Sequence, residues 1–389
     1  PMSASFAAPR TDLNIGIRLE PPHLDPTAGA AAAIGEVGYA NIFEGLTRID
    51  RNGKVQPALA ERWEISSDGL VYTFYLHKGV TFHDGAALDA ATVKFSLDRA
   101  RDEKSVNPQK PLFEPIASVD VVDDATVKVT LKRATGAFLF NMGWPAAVIV
   151  SPQSAEINKT NPVGTGPFEL VDVVPGSHVK VKRYEGYKPN AAYSQRTGFG
   201  GYKQACLNTV PFRIVSEPGA RVAGLKTGEL HGVEDLPTKS LPDLKKDANI
   251  AILPLNNWWI QINYSNTSAP PTNNLQFRQA VQAVLNMDEI MDAATDGNYK
   301  LNVGFQYPNQ PTYTDAGKET YNIKDPALAK RHLQQAGYKG EPVVLLTNKD
   351  YAPMYNSALV MQQQLQAVGI NAQMKVVDWP TSVQMWQNT

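Results

Sequence analysis

The chain has 389 residues, 43% hydrophobic and 19% charged, with 37 Lys and Arg against 38 Asp and Glu and a formal net charge of −1. Such a composition describes a soluble globular protein with enough chain for two or three cores, and its charge balance gives no global electrostatic case for nucleic acid or an anionic membrane as partner. Cys206, the single cysteine, rules out an intrachain disulfide and argues against a thiolate metal cluster; it reads as a small buried apolar side chain. No run reaches the roughly 18 apolar residues of a membrane helix, since Asn141, Gly143 and Pro145 interrupt residues 134–150. The opening Ser3–Ala8 stretch reads as the small-residue end of a processed signal peptide, with no cysteine there for lipidation.

In chain order, residues 11–18 predict a first strand with Leu13, Ile15 and Ile17 on one face. Pro21, Pro22 and Pro26 then fix an extended path, and an Ala-rich helix follows through Ile34, Val37 and Ile42. Turns at residues 51–53 and 66–69 flank Leu59-Ala60-Glu61-Arg62-Trp63, and Val71–Leu76 alternates as a strand with both faces partly covered. Asp89 is placed to cap a helix running to about Arg99. Residues 116–122 and 126–131 read as a β-hairpin turning at Asp123-Asp124, and residues 138–144 as an apolar helix or loop. Gly164, Gly166 and Pro167 force a bend into a strand over 169–174; lacking a following Lys-Ser/Thr, it is a poor phosphate loop.

Further strands are predicted over 179–183 and 210–215, separated by a flexible Gly-rich loop at 198–201. A helix runs from Ala220 to Gly228, and residues 232–237 return to the sheet; His231 reads as a surface or capping residue. Residues 256–264, with Trp258 and Trp259, read as a buried strand. An amphipathic helix follows at 277–286, further helices at 327–336, ending at Gly337, and at 358–368, capped by Gly369, with strands at 343–347 and 370–377.

Leu59-Ala60-Glu61-Arg62-Trp63 and Tyr75-Leu76-His77-Lys78-Gly79-Val80-Thr81-Phe82-His83-Asp84-Gly85 together resemble the signature of the large extracytoplasmic solute-binding proteins of ABC importers, family 5, which handle peptides, nickel and related solutes. The resemblance runs from about Leu13 to Trp379. It implies an α/β, two-lobed periplasmic binding protein-like fold (class II, cluster C) with an extra β-rich subdomain inserted in the first lobe. The lobes would comprise residues 1–45 and 165–257 for the first, 46–164 for the insert and 258–389 for the second, with a C-terminal part beyond Thr389 that returns to the first lobe. Periplasmic localisation, a monomer, an inner-membrane ABC permease as partner and hinge closure around residues 256–264 are implied as well.

The same resemblance places ligand contacts. Backbone groups near Thr27 and Gly29 approach the ligand in peptide-binding relatives, although a hydroxyl cap and a permissive glycine explain these residues equally well. Trp259, Tyr351 and Trp379 fall in or beside elements lining the family's cleft, though each aromatic taken alone is more often core. Asn348 stands where dipeptide-binding relatives carry an arginine for the peptide carboxylate, and an amide cannot form that bidentate pair. Lys349 beside it supplies a point charge instead. The ligand class is therefore an oligopeptide, an opine or another sugar conjugate, with no cofactor, no metal and no catalytic residue. A sensor or chaperone of the same fold is the alternative, and an extracytoplasmic hydrolase the third reading, although no Gly-x-Ser-x-Gly or His-Glu-x-x-His motif is present.

Overall fold

A computed structural model of the chain describes residues 11–253, 265–308 and 313–387. The chain divides into two compact units, Pro1–Leu236 and Pro237–Thr389. The expected strand at 256–264, with Trp258 and Trp259, lies outside the described residues.

The first unit contains two principal sheets. One is five-stranded, in the order Gly232–Val233, Ile15–Ile17, Thr209–Ile214, His178–Arg183, Phe168–Val174. Its first three strands are parallel and the last two join antiparallel. Ile17, Val179, Val181, Val210 and Phe212 project from this sheet into a core closed by Val37, Ile42 and Phe43. The other sheet is a four-stranded antiparallel one, Ala60–Ile65, Val71–Leu76, Thr126–Leu131 and Ile116–Asp123. Tyr72, Phe74 and Leu76 are buried while Val71, Thr73 and Tyr75 are half-buried, the alternation that the sequence predicts. The Ala90–Arg101 helix lays Val93, Leu97 and Ala100 on that core. Asp89 caps it, accepting from the Thr92 backbone N–H at 2.7 Å.

Segments adjoining the two sheets meet at the Gly164–Gly166 bend, which precedes Phe168–Val174 and faces His83, beyond Val71–Leu76. A Cβ on Gly164 would lie 2.0 Å from the Ile42 carbonyl oxygen, and one on Gly166 2.4 Å from that of Asn41, so only glycine fits either place. The Gly166 N–H donates to Ile42 O at 2.8 Å. His83 fastens the bend from the other side: its N–H donates to Gly164 O at 2.9 Å, its Nδ1 accepts from Gly164 N at 3.3 Å, and its Nε2 pairs with Gly166 O at 2.9 Å. Asp84 and Gly85 shape the adjoining turn, with Asp84 accepting from Ala86 N at 3.0 Å and Gly85 at φ +86°.

Several elements depart from the sequence reading. The first strand is confined to Ile15–Ile17; before it Asn14 N donates to His231 Nδ1 at 2.9 Å and Asp12 keeps an isolated bridge to Thr209. The Ala-rich helix is α-helical only over Ala32–Ile34, then widens to π winding over Gly35–Ile42, where the Asn41 amide reaches back to the Glu36 and Val37 carbonyls. Residues 198–201 are no open loop: Arg196–Thr197 pairs with Gly200–Gly201, with Gly198 at φ +59°. Cys206 is exposed, correcting the buried reading; it follows this hairpin, where its thiol meets Arg196 and the Gln204 carbonyl instead of a core.

In the second unit the Leu275–Val284, Met287–Thr295, Pro326–Ala336 and Ala352–Ala367 helices pack around Phe277, Ile290, Leu333 and Leu365. Asn274, Asn286 and Asp325 cap the first three. Val343–Thr347 and Ala372–Val376 form a parallel pair beside them. The fourth helix starts at Ala352 rather than 358, with Pro353 in its first turn, and a further helix, Trp379–Gln387, follows the last strand.

Two measurements test the joint. Gly164→Ala is expected to lower stability by about 2 kcal/mol or more, read as a reduced urea midpoint. Gly136→Ala, in open space, should stay within about 0.5 kcal/mol of the parent. Burial holds the His83 imidazole below its ordinary pKa of 6.5, so the folded chain favours the neutral ring. Its contribution is therefore complete above pH 6.5 and declines as the pH falls below that value. An imidazole NMR titration should give His83 a midpoint below 6.5; an ordinary midpoint would show that the ring is not held in this way.

Candidate functional site

In the second unit both parallel strands end together, at Thr347 and Val376, and the segments leaving them carry most of the predicted contacts. The region outside the carboxyl ends of parallel strands is where open α/β sheets take ligands, because loops diverge there and backbone groups are left to be used. Asn348 is 1% exposed, its Oδ1 accepting from Tyr351 N at 2.9 Å and its Nδ2 lying 3.1 Å from Met354 Sδ. Its amide thus shapes the start of the Ala352–Ala367 helix. The Asp350 carboxylate accepts from Trp379 N at 2.6 Å and so joins the two segments. The Tyr351 and Trp379 rings meet edge to face, centroids 5.1 Å apart at 70°. Lys349 is exposed, its ammonium 5.1 Å from the centroid of Tyr355, a weak cation–π contact at most. Thr347 Oγ1 and Ser382 Oγ are buried without a hydrogen-bond partner among the described residues.

In the first unit Thr27 is 5% exposed. The Asp25 carboxylate accepts from its N–H at 2.8 Å and from its hydroxyl at 2.6 Å, and Arg99 Nη1 donates to that hydroxyl at 2.9 Å. The side chain tethers the Pro-rich loop and leaves backbone as what Thr27 can offer a solute. A Cβ on Gly29 would lie 2.6 Å from Ile34 Cδ1 and 2.7 Å from the His23 ring, so any larger residue there must displace those two side chains. Trp259 lies outside the described residues. Four predicted residues, Asn348, Lys349, Tyr351 and Trp379, are thus brought together on one unit, and Thr27 and Gly29 share one loop of the other.

Two charged clusters of the first unit escaped sequence reading. Glu36, on the π-wound segment, hydrogen-bonds Glu234 beyond the short edge strand; burial first, and then Glu234, raise its pKa to about 7. Arg18 N donates to Glu234 Oε1 at 2.7 Å, and Arg18 also pairs with Asp235. These residues gather at the carboxyl ends of Ile15–Ile17 and Gly232–Val233. The second cluster is buried around Glu44, whose carboxylate accepts from Tyr187 OH at 3.2 Å and Thr165 Oγ1 at 3.1 Å and faces Lys203 Nζ at 3.7 Å. Burial, followed by the neighbouring Arg48, draws Lys203 down to about 8, while burial and then Glu44 push Tyr187 up. The available signal was the presence of Glu44 and Arg48 within an otherwise apolar run, since charges inside a core require partners.

Among the described residues no three His, Cys, Asp or Glu side chains are grouped as a metal site needs, and no helix is long and apolar enough to cross a membrane.

Residues 54–389 match the middle section of the bacterial extracellular solute-binding proteins, family 5. The chain is 32% identical to the glutathione-binding protein GsiB of Pectobacterium atrosepticum, over 91% of this chain and 67% of that one. It is 30% identical to GsiB of Escherichia coli O1:K1 over 97% of this chain and 71% of the relative. Among solved structures it superposes on the periplasmic binding protein AgaA of Agrobacterium tumefaciens R10, in complex with agropinic acid, with a TM-score of 0.80 and 25% identity, covering 96% of this chain and 74% of that one. A dipeptide-binding protein of Pseudoalteromonas sp. SM9913 shares the fold with a TM-score of 0.81 at 22% identity, over 96% and 77% of the two chains. The fold is the α/β fold of periplasmic binding proteins. The profile spans both halves of the motif read at residues 59–63 and 75–85, and the chain belongs to family 5 of the bacterial extracellular solute-binding proteins.

Proposed function

We propose that this chain is the substrate-binding component of an ABC importer, a monomer that captures an anionic, peptide-like solute outside the cytoplasm and passes it unaltered to an inner-membrane permease. The observation that carries the reading is the gathering of Lys349, Tyr351 and Trp379 outside the carboxyl ends of two parallel strands. That arrangement offers an apolar wall and one exposed cation, which is what recognition of a small organic anion requires. Family membership supports capture rather than chemistry, and no cofactor is needed.

Asn348 narrows the ligand. Its amide is engaged with Tyr351 N and Met354, so the charge-assisted fork that an arginine would provide has no counterpart at that position. A strict dipeptide is therefore a poorer fit than a longer peptide or an amino-acid conjugate whose carboxylate meets Lys349. GsiB relatives bind glutathione and AgaA is found with agropinic acid, both of this broad chemistry.

Titration calorimetry with glutathione, opines and short acidic peptides tests the assignment. Lys349→Ala should weaken the best anionic ligand about three- to tenfold and reduce its salt dependence, and Trp379→Ala should weaken it by about tenfold or more. Unchanged affinity in Lys349→Ala would remove the lysine from the site. The Glu36–Glu234 pair sets a separate pH signature. A carboxyl whose folded pKa is raised stabilises most fully below its ordinary value of 4.5, and that stabilisation is lost as pH rises through about 7. Glu36→Gln should therefore melt above the parent at pH 8, with the gain shrinking as the pH falls towards 5; a gain independent of pH would contradict the raised pKa.

A further inference from the structure

The cavity lined by Glu44, Arg48, Thr165, Tyr187, Asn190 and Lys203 has a volume of about 40 Å³. A water requires roughly 10–15 Å³ on the same measure, so the space suits a water or a small ion and is too small for a peptide-like solute. Arg48 is 1% exposed. Its Nη2 donates to the Tyr39 carbonyl at 3.2 Å and to the Phe43 carbonyl, and the guanidinium lies 3.9 Å from the centroid of the Tyr39 ring. Its Nε and Nη1 are buried without a partner among the described residues, and so is Asn190 Nδ2.

Charge and donors are both in excess. Glu44 is the only carboxylate among the residues lining the cavity, and Tyr187, Thr165 and Lys203 already converge on its two oxygens. Arg48 and Lys203 against Glu44 leave one positive charge, and exposed Lys188 at the rim adds the same sign. Lys203, drawn down to about 8, is still protonated at neutral pH and sheds the charge only above that value; the Arg48 guanidinium cannot lose its proton, and leaving its N–H groups bare in a core is costly. A neutral water accepts hydrogen bonds but leaves the charge uncompensated.

We propose that this cavity is a resident site for a small monoanion of halide size, held by Arg48 Nε and Nη1, Asn190 Nδ2 and Lys203 Nζ. The anion joins Arg48 to the two flanks of the 196–201 hairpin, Asn190 before it and Lys203 after it, so its removal loosens that hairpin. Solute capture is not involved, and the site is independent of the importer reading.

Bromide is the probe. Crystals of the full chain grown in bromide should show an anomalous peak inside the cavity. The melting temperature of the parent should rise by several degrees in chloride or bromide relative to a bulky organic sulfonate at equal ionic strength, as expected of a ligand that binds only the folded state. Arg48→Met should abolish peak and rise. Because that change strikes the core, Asn190→Ala and Lys203→Met are the second test, each expected to cut the halide-dependent rise by at least half. Water-like density in the cavity with bromide only at exposed lysines, or melting that follows ionic strength alone, would overturn the site.

Discussion

The packing of a glycine bend against a neighbouring backbone is the constraint on which the first unit depends. Gly164 and Gly166 let the chain approach the carbonyls of Asn41 and Ile42 more closely than any side chain would permit. Everything on either side of that contact is ordinary sheet and helix packing, which tolerates small adjustments; the bend tolerates none. His83 adds three hydrogen bonds to the same two glycines, and Tyr184 closes the arrangement with its hydroxyl on the Phe82 carbonyl at 2.9 Å and its ring 4.8 Å from that of His83. The segment beyond Val71–Leu76 is thereby fastened to the bend that leads into Phe168–Val174, through backbone groups of the bend and the His83 and Tyr184 side chains. Side chains facing a solute can then vary without disturbing the frame, a division of labour suited to a family whose members take different ligands.

The two units offer chemistry of different kinds. The loop at Thr27 and Gly29 is held by buried side-chain contacts, with Asp25 and Arg99 fixing the threonine and the His23 ring filling the space beside the glycine. Residues 348–351 and 379 present side chains instead: an exposed ammonium and two aromatic rings set edge to face. Asn348 belongs to the frame supporting them. Its burial explains why an amide suffices there, since the group faces a backbone N–H and a thioether rather than solvent.

Much of this was legible in the sequence because local chemistry and tertiary context agree. Asp89 caps its helix where its short polar side chain predicts it, and Gly228, Gly337 and Gly369 take the left-handed conformations that end helices. The hairpin at 116–131 was visible from two apolar-rich runs separated by the Asp123-Asp124 turn. What escaped reading depends on partners distant in sequence. The role of His83 was hidden within the motif at 75–85 because Gly164 and Gly166, its partners, are far along the chain. The 196–201 hairpin was hidden by its glycines, which weaken any strand signal, and Cys206 was misjudged because burial of a lone cysteine is a tendency of the residue and says nothing of the loop carrying it. The pairing of Glu44 with Tyr187, Thr165 and Lys203 has no periodic signature at all; only the presence of charge within an apolar run marked it. Among the candidate contacts, family resemblance located Lys349, Tyr351 and Trp379, while composition and spacing alone would have left them as unremarkable surface and core residues.

The central claim is that the chain holds a solute without transforming it. Native mass spectrometry of the protein purified from its own cells, followed by release and identification of whatever remains bound, tests this most directly. The account predicts one anionic, peptide-like molecule per chain, recovered chemically intact after prolonged incubation and displaced by excess of the same compound. Recovery of a cleaved or otherwise altered product that accumulates with time would contradict it.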